Sequence, residues 1–551
     1  MNRRQFLRCS GSAGIAIAST GAKGFAESVD AQIEILLDEP TGIISPNLYG
    51  QFTEHIGGVI YDGVWVGGGS KIPNRFGIRS ELIDRLKEIR VPVIRWPGGC
   101  FADSYDWMDG VGPSSNRPTR TNFWEVEPEL ARLHEQGVQI FESNRFGTNE
   151  FMRFCTLSGA QPYVAANLRS LPASSFDHWV EYCNSPKGST TLAQVREAAG
   201  FPEPFHVRYW GVGNESWGCG GSFQPEAYAS EFRRFTTWVP KYGVDLQFIA
   251  SGPNNNDLEW THRFFDQLHS GHAYRNENFA GWSVHYYVSN LSRGKSQDWT
   301  KAKGDAVRFD QADWYEVLRE SSKIEQIIDD QWSAMGAYDP DRRIKLVVDE
   351  YGPWYREGTE VDPTHLFGQQ ITIRDALATA LTLDTFNRRA EKVGMANNAQ
   401  LVNNLNALFL AHEDRFVVTP NFHVFSMYAA HQGGQGIRLE TSAPDVHYLR
   451  DDKPAQFWGL NGSASLKDGI VTLTVVNPDL ENTTETRVAI RTGRIDRATA
   501  TVLRADDMHA HNTFDTPDAV RPAPLEAMVA GQDLLVRFPP ASVSKLEIAV
   551  R

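Results

Sequence analysis

Ile344-Lys345-Leu346-Val347-Val348-Asp349-Glu350-Tyr351-Gly352-Pro353-Trp354 is the clearest strand candidate in the chain, and it ends on two carboxylates. Apolar and β-branched residues dominate its first half, and a Gly-Pro pair stops it. Upstream, Trp282-Ser-Val-His-Tyr-Tyr287 reads the same way, as does Leu246-Gln-Phe-Ile-Ala-Ser251 before Gly252-Pro253. So do His206-Val-Arg-Tyr-Trp-Gly-Val212 before Gly213-Asn214-Glu215, and Val91-Pro-Val-Ile-Arg-Trp96 before Pro97-Gly98-Gly99. Helical stretches separate them: one over 149–158 precedes Pro162-Tyr-Val-Ala-Ala-Asn167, and one over 375–392 leads to Ala399-Gln400-Leu401-Val402. Strands alternating with helices over this length imply a parallel sheet. The expected fold is a (β/α)8 barrel over 48–440, with chemistry at the C-terminal ends of its strands.

Beyond about residue 445 the texture changes. Ile470-Val-Thr-Leu-Thr-Val-Val476, Thr486-Arg-Val-Ala-Ile490 and Leu534-Leu-Val-Arg-Phe538 alternate with period two, with turn residues between them. This predicts an antiparallel β-sandwich over 441–551. Ala31-Gln-Ile-Glu-Ile-Leu-Leu37 also alternates. Lying outside the barrel pattern, segment 27–47 is expected to supply a strand to the sandwich.

A chain of 551 residues is too long for one ordinary domain and fits a barrel plus a smaller partner. Its net charge of −14 argues against broad binding to nucleic acid or anionic membrane, which needs basic patches. The 15 tryptophans suit sugar rings, whose C–H faces match flat aromatic surfaces, although core packing accounts for most of them. Arg3-Arg4-Gln5-Phe6-Leu7, the small-residue stretch 9–22 and Gly24-Phe25-Ala26 form a twin-arginine leader pattern, with cleavage expected after Ala26. That predicts a periplasmic or secreted protein. Of five cysteines, Cys100, Cys155, Cys183 and Cys219 lie beyond the leader; none makes a zinc spacing, and the sequence leaves open whether any pair is oxidised.

Two glutamates carry the chemistry. Glu215 lies in Trp210-Gly-Val-Gly-Asn-Glu-Ser-Trp217 and Glu350 in the run quoted first. Glycosidic cleavage needs one carboxylic acid to protonate the leaving oxygen and a second carboxylate to attack the anomeric carbon or activate water. The two are about three strand–helix units apart, at roughly 45 residues each, which faces them across a barrel mouth.

Gly213-Asn214-Glu215 resembles the acid/base motif of the barrel glycosidase clan that carries its glutamates on strands four and seven. The rest of the text is closer to the family 51 α-L-arabinofuranosidases. Tyr49-Gly-Gln-Phe-Thr-Glu54-His55 resembles that family's first-strand motif, and Ile94-Arg95-Trp-Pro-Gly-Gly-Cys100-Phe its second, continued by Trp107-Met-Asp-Gly-Val-Gly-Pro113. Ser283-Val-His285-Tyr-Tyr287 and Ala399-Gln400-Leu-Val-Asn403 are similar to those of strands six and eight. The resemblance implies a retaining hydrolase that removes terminal α-L-arabinofuranosyl units, with Glu215 as acid/base and Glu350 as nucleophile. It implies that Asn214 holds the sugar 2-hydroxyl, that Glu54 and Gln400 hold other hydroxyls, and that Cys100 lines the pocket. Tyr287 would position the nucleophile, Arg95 would pair with Glu350, and His285 would tune Glu215. Trp354 and Trp124 would wall the pocket.

Read without the resemblance, Arg95 is a barrel-interior salt bridge, His285 a core histidine, Cys100 a small buried filler and Asn214 a turn cap. The resemblance implies substrates such as arabinoxylan, arabinan and derived oligosaccharides, homo-oligomeric assembly, and no cofactor or metal. Gly57-Gly58-Val59, Met108-Asp109-Gly110 and Tyr351-Gly352 depart from the family's usual residues near the substrate rim. They bear on the leaving group more than on the chemistry. A same-clan glycosidase acting on another pentoside or a glucan remains an alternative, as does a non-catalytic sugar-binding barrel. A redox enzyme lacks support: there is no G-x-G-x-x-G, haem motif or metal-spaced Cys/His cluster.

Overall fold

The computed structural model describes residues 29–270, 277–289, 291, 296 and 298–551, with side chains omitted at 299 and 300. Eight parallel strands close into a barrel. In chain order they are Gly50–Phe52, Val93–Trp96, Gln161–Ala166, Tyr209–Val212, Gln247–Ala250, Phe279–Val288, Lys345–Pro353 and Val393–Asn398. Side chains alternate across this sheet as a pleat requires. Leu346 and Val348 join the large core between strands and helices. Val347 points inward, where Val93, Tyr163, Ile249 and Met395 complete a buried plug.

The eighth strand is Val393–Asn398, so Ala399-Gln400-Leu401-Val402 forms the loop beyond it rather than the strand. The strand text, Val-Gly-Met-Ala-Asn-Asn, contains one β-branched residue and ends on two buried asparagines, so it carries little strand signal.

A ten-stranded sheet forms the second unit. Its order is Pro522–Leu525, Ile495–Arg504, Ser542–Val550, Ile470–Asn477, Asn461–Lys467, Gln435–Ser442, Ala31–Ile43, Thr484–Arg491, Asp533–Phe538, Ala527–Ala530. All of these strands contribute to, or pack against, one apolar core that includes Ile33, Ile35, Leu473, Val488, Leu534 and Leu546. Every neighbouring pair is antiparallel except Ala31–Ile43 with Thr484–Arg491, which is parallel. The sheet takes up the chain from Gln435, a few residues before the change of texture in the sequence.

Helix Ile373–Arg388 joins the two units. Thr372 and Asp375 cap its start reciprocally, with the Thr372 N–H donating to Asp375 Oδ2 at 2.7 Å. Near its far end Asp384 accepts hydrogen bonds from Ser463 and Thr474 of the sheet and from Tyr428. Burial pushes the Asp384 carboxyl up to about 6. Among the described residues, no helix is long and apolar enough to cross a membrane. The leader pattern at 1–26 lies outside the described residues.

Candidate active site

The mouth of the barrel gathers its polar residues from the ends of six strands. Glu350 leaves the seventh strand through an irregularity in the ladder. Val284 pairs with Val348, but the next residue, His285, pairs with Glu350, so Asp349 is the extra residue of a bulge. Strict alternation would send adjacent carboxylates to opposite faces; the bulge turns both inward. Asp349 accepts from the Tyr163 hydroxyl at 3.0 Å and the Asn397 amide at 3.1 Å. Glu350 lies above it and accepts from Arg95 Nη1 at 2.7 Å and the Tyr287 hydroxyl at 2.8 Å.

These partners set its charge. Burial acts to raise the Glu350 carboxyl, but the charges of His285 and Arg95 and the two hydrogen bonds outweigh it and hold it below the ordinary range. Arg95 is itself 2% exposed and sits over the Phe52 ring at 4.7 Å. Burial opposes its charge, yet Asp349 and Glu350 raise its guanidinium well above the usual value.

Glu215 follows the fourth strand on a turn where Gly213 and Glu215 both have positive φ, 85° and 40°. His285 Nδ1 lies 3.0 Å from Glu215 Oε1 and 3.6 Å from Glu350 Oε2, so one imidazole bridges the two carboxylates. An oxygen of each lies within 4.8 Å of the other. Burial favours neutral His285, but Glu350 first and Glu215 second overcome it and raise its basicity. Glu215 is the more open of the two glutamates, its side chain 20% exposed against 8% for Glu350.

Asn214 is fixed from two sides. Its Oδ1 accepts from Arg95 Nη2 at 2.6 Å and its backbone N–H donates to Asp103 at 2.9 Å. Asp103 also accepts the N–H groups of Leu168 and Arg169, tying together the loops after strands two, three and four. Burial pushes the Asp103 carboxyl up to about 7 against those three donors.

Opposite, Glu54 accepts from the Phe101 N–H and from Gln400 Nε2, each at 3.0 Å. Burial, with the Glu350 charge adding to it, pushes Glu54 up to about 8. Gln400 Oε1 is buried and has no hydrogen-bond partner among the described residues. Gly98 and Gly99 allow these approaches: a Cβ on Gly99 would lie 2.7 Å from Glu350 Oε1, and one on Gly98 would lie 2.9 Å from Glu54.

Cys100 forms a disulfide with Cys219. Both sulfurs adjoin Glu215 Oε2, at 3.8 and 3.6 Å, and face the Asn214 amide at 4.0 and 3.8 Å. Cys100 therefore meets the pocket as half of a disulfide rather than as a lone thiol. Cys155 and Cys183 are buried and unpaired with each other. Trp354 packs edge-on against Tyr287, with centroids 5.4 Å apart. Trp124 stands one ring further out, reaching Trp354 through Phe367.

Sequence reasoning missed Asp103, the pairing of Cys219, and Lys303, whose Nζ lies 4.2 Å from the Trp354 ring centre. Asp103 lies in the short 3-10 turn Cys100–Ser104, just beyond the second-strand motif but not part of it, and Lys303 stands in a loop with no motif around it. Cys219 had one available signal, its place four residues after Glu215, but nothing local names its partner. His55, conspicuous beside Glu54, is a support: it bonds Glu142 at 2.8 Å and accepts from Trp96 Nε1 at 2.9 Å.

Domain models described as "Alpha-L-arabinofuranosidase 1 domain" and "Alpha-L-arabinofuranosidase C-terminal domain" match residues 85–293 and 349–542. An intracellular exo-α-L-arabinofuranosidase of Bacteroides ovatus is 35% identical over 520 residues, covering 94% of this chain and 95% of that protein. A probable α-L-arabinofuranosidase C of Aspergillus niger is 31% identical, covering 79% and 82%. The crystal structure of a family 51 arabinofuranosidase from Xanthomonas axonopodis pv. citri superposes with a TM-score of 0.85 at 36% identity, covering 95% of this chain and all of that one. That of the Thermotoga maritima α-L-arabinofuranosidase in complex with arabinose gives 0.78 at 26% identity, with 94% and 99% covered. These matches correct one expectation. The relative matched along nearly its whole length is described as intracellular, so the periplasmic or secreted location read from the leader pattern does not stand.

Proposed function

The chain belongs to the family 51 α-L-arabinofuranosidases and is a glycoside hydrolase of that activity, and from this premise we propose that it works by double displacement on arabinoxylan, arabinan and their oligosaccharides, releasing terminal non-reducing α-L-arabinofuranosyl units with retained configuration. The observation that carries the mechanism is the carboxylate pair: an oxygen of Glu215 and one of Glu350 lie within 4.8 Å. Retaining enzymes hold the two groups roughly 5–5.5 Å apart, whereas inverting ones need roughly 6.5–9.5 Å to admit a water between them.

Glu350, kept ionised by Arg95 and His285, attacks the anomeric carbon while Glu215 delivers a proton to the departing oxygen. The resulting glycosyl ester on Glu350 is hydrolysed by a water that Glu215, now a carboxylate, deprotonates. His285 gives the proton of Glu215 a second resting place. The Asn214 amide faces the pocket to receive the 2-hydroxyl, a contact that strengthens as the ring becomes cationic. Glu54 and the unpartnered Gln400 Oε1 take further hydroxyls. Trp354 offers an apolar wall beside Tyr287. The carboxylates themselves supply the acid, the base and the nucleophile, so the reaction as proposed requires no metal.

Proton NMR of the first turnovers on 4-nitrophenyl α-L-arabinofuranoside tests this reading. The α anomer of arabinose is expected first; early release of the β anomer would overturn retention. Glu350→Ala should abolish turnover, and release of arabinose from arabinan and arabinoxylan, but of no other sugar, is the expected result on a polysaccharide panel.

A further inference from the structure

Asp62, His365 and His412 meet at one point among the loops that follow barrel strands one, seven and eight, and share no residue with the cluster of Glu215, His285 and Glu350. Each offers one donor atom, and the three atoms all lie within 4.8 Å of one another. Asp62 Oδ2 is 3.4 Å from His365 Nε2 and 3.1 Å from His412 Nδ1. A tetrahedral zinc ion with bonds of roughly 2.0–2.1 Å sets its donors about 3.3–3.4 Å apart, so both separations are close to those of a ligand set around one ion, which would displace the 3.1 Å hydrogen bond.

We propose that these three side chains bind a divalent transition-metal ion of the zinc class as a structural clip on the rim of the active site. Two imidazoles and one carboxylate select zinc-like ions over calcium or magnesium, which prefer all-oxygen shells. His365 is buried at 5% exposure, and its ring reaches the cluster because position 58 is glycine: a Cβ there would lie 2.3 Å from His365 Nε2. His412 keeps Nδ1 toward the cluster and turns Nε2 to Asp362, whose Oδ2 is 3.9 Å away. At that distance the carboxylate makes no hydrogen bond to the ring and contributes only its negative charge to the site. Asp62 Oδ1 is already used, accepting the Glu413 N–H at 2.8 Å, which leaves Oδ2 to face the histidines. Asp62 and His412 are each a quarter exposed, so a water has access to the fourth position.

The placement gives the ion something to do. Asp62 lies on the loop that begins with Glu54, His365 on the loop that follows Trp354, and His412 on the hairpin beyond Gln400. These segments already touch through Asn403, whose amide donates to Gly58 and Ala411, and through Asn404, which donates to Leu366. An ion held by all three would lock together the loops that carry the Glu54–Gln400 contact. Hydrolysis itself does not consume the ion, so binding should register as metal content and thermal stability.

The full chain, stripped with chelator, would be equilibrated with Zn2+, desalted, and assayed by elemental analysis and thermal melting. The expected result is one zinc per chain and a melting temperature raised by several degrees, with no such rise in Ca2+ or Mg2+. His412→Gln, at a partly exposed position and checked by circular dichroism, should cut zinc affinity at least tenfold, and His365→Gln should do the same. Glu215→Gln should still bind, because the other two clusters of potential donors both use Glu215, one with His285 and Glu350 and one with Cys100 and Cys219. Wild-type protein free of zinc after desalting, equal zinc in wild type and His412→Gln, or loss of zinc in Glu215→Gln alone would each overturn the proposal.

Discussion

Glu350 is served by two donors of different kinds, and they separate experimentally. The Tyr287 hydroxyl gives a neutral hydrogen bond to a charged group, worth roughly 1.5–3 kcal/mol when buried. Tyr287→Phe should therefore lower kcat/KM about 10- to 100-fold at the pH optimum with little change in melting temperature; steady-state kinetics read this, and a loss under threefold would refute the contact. Arg95 contributes charge. Because the folded value of Glu350 lies below its ordinary one, the ionised carboxylate persists as pH falls. Removing the guanidinium should raise that value, so in Arg95→Gln the acid limb of the kcat/KM profile should move to higher pH, and an unmoved limb would count against the assignment. The two glutamates were legible because each ends an apolar run inside a Gly- and Trp-rich context. Asp103 was not, since an aspartate just past the second-strand motif announces nothing until three N–H groups from two distant loops converge on it.

Short elements place these groups, and the devices that do so are backbone devices. The bulge at Asp349 turns consecutive carboxylates inward, and no residue in Val-Val-Asp-Glu marks it. Gly98-Gly99 is visible in sequence only as a stop to the second strand, yet the bare Gly99 Cα is what leaves room for the Glu350 carboxylate beside it. A Cβ at Gly99 would stand 2.7 Å from Glu350 Oε1, so Gly99→Ala should push the carboxylate off its attack line. Displacements of about 1 Å in an active site cost on the order of 100-fold in rate. The expected signature is a fall of that size in kcat with the far-ultraviolet spectrum unchanged; wild-type kcat would show that the glycine serves only the turn. Strand seven was readable from its β-branched run, whereas strand eight was not: its asparagines are spent on the barrel interior and the loop behind Gln400, which erases the apolar pattern.

At the scale of the whole molecule, the sheet is completed by the N-terminal end of the described chain. Ala31–Ile43 lies between Gln435–Ser442 and Thr484–Arg491 and bonds to both. Its alternation was plain in the sequence, but its parallel register with a partner some 450 residues away was not, because pairing between distant segments leaves no local trace. Ala31, Ile33, Ile35 and Leu36 are each 4% exposed or less. Burying each of the three larger side chains, Ile33, Ile35 and Leu36, is worth roughly 1.5–3 kcal/mol, and a folded domain has a net margin of only about 5–15 kcal/mol. A chain beginning at Ile44 would lose that apolar surface and both flanking ladders together. It would also leave two long neighbouring strands as open edges, the surfaces through which sheets aggregate. The truncated chain should therefore be recovered mainly as insoluble protein, with no cooperative thermal transition in any soluble remainder. Solubility, size-exclusion profile and calorimetry together read the outcome, and a soluble truncate melting at the full-length temperature would show that the barrel stands without its sheet.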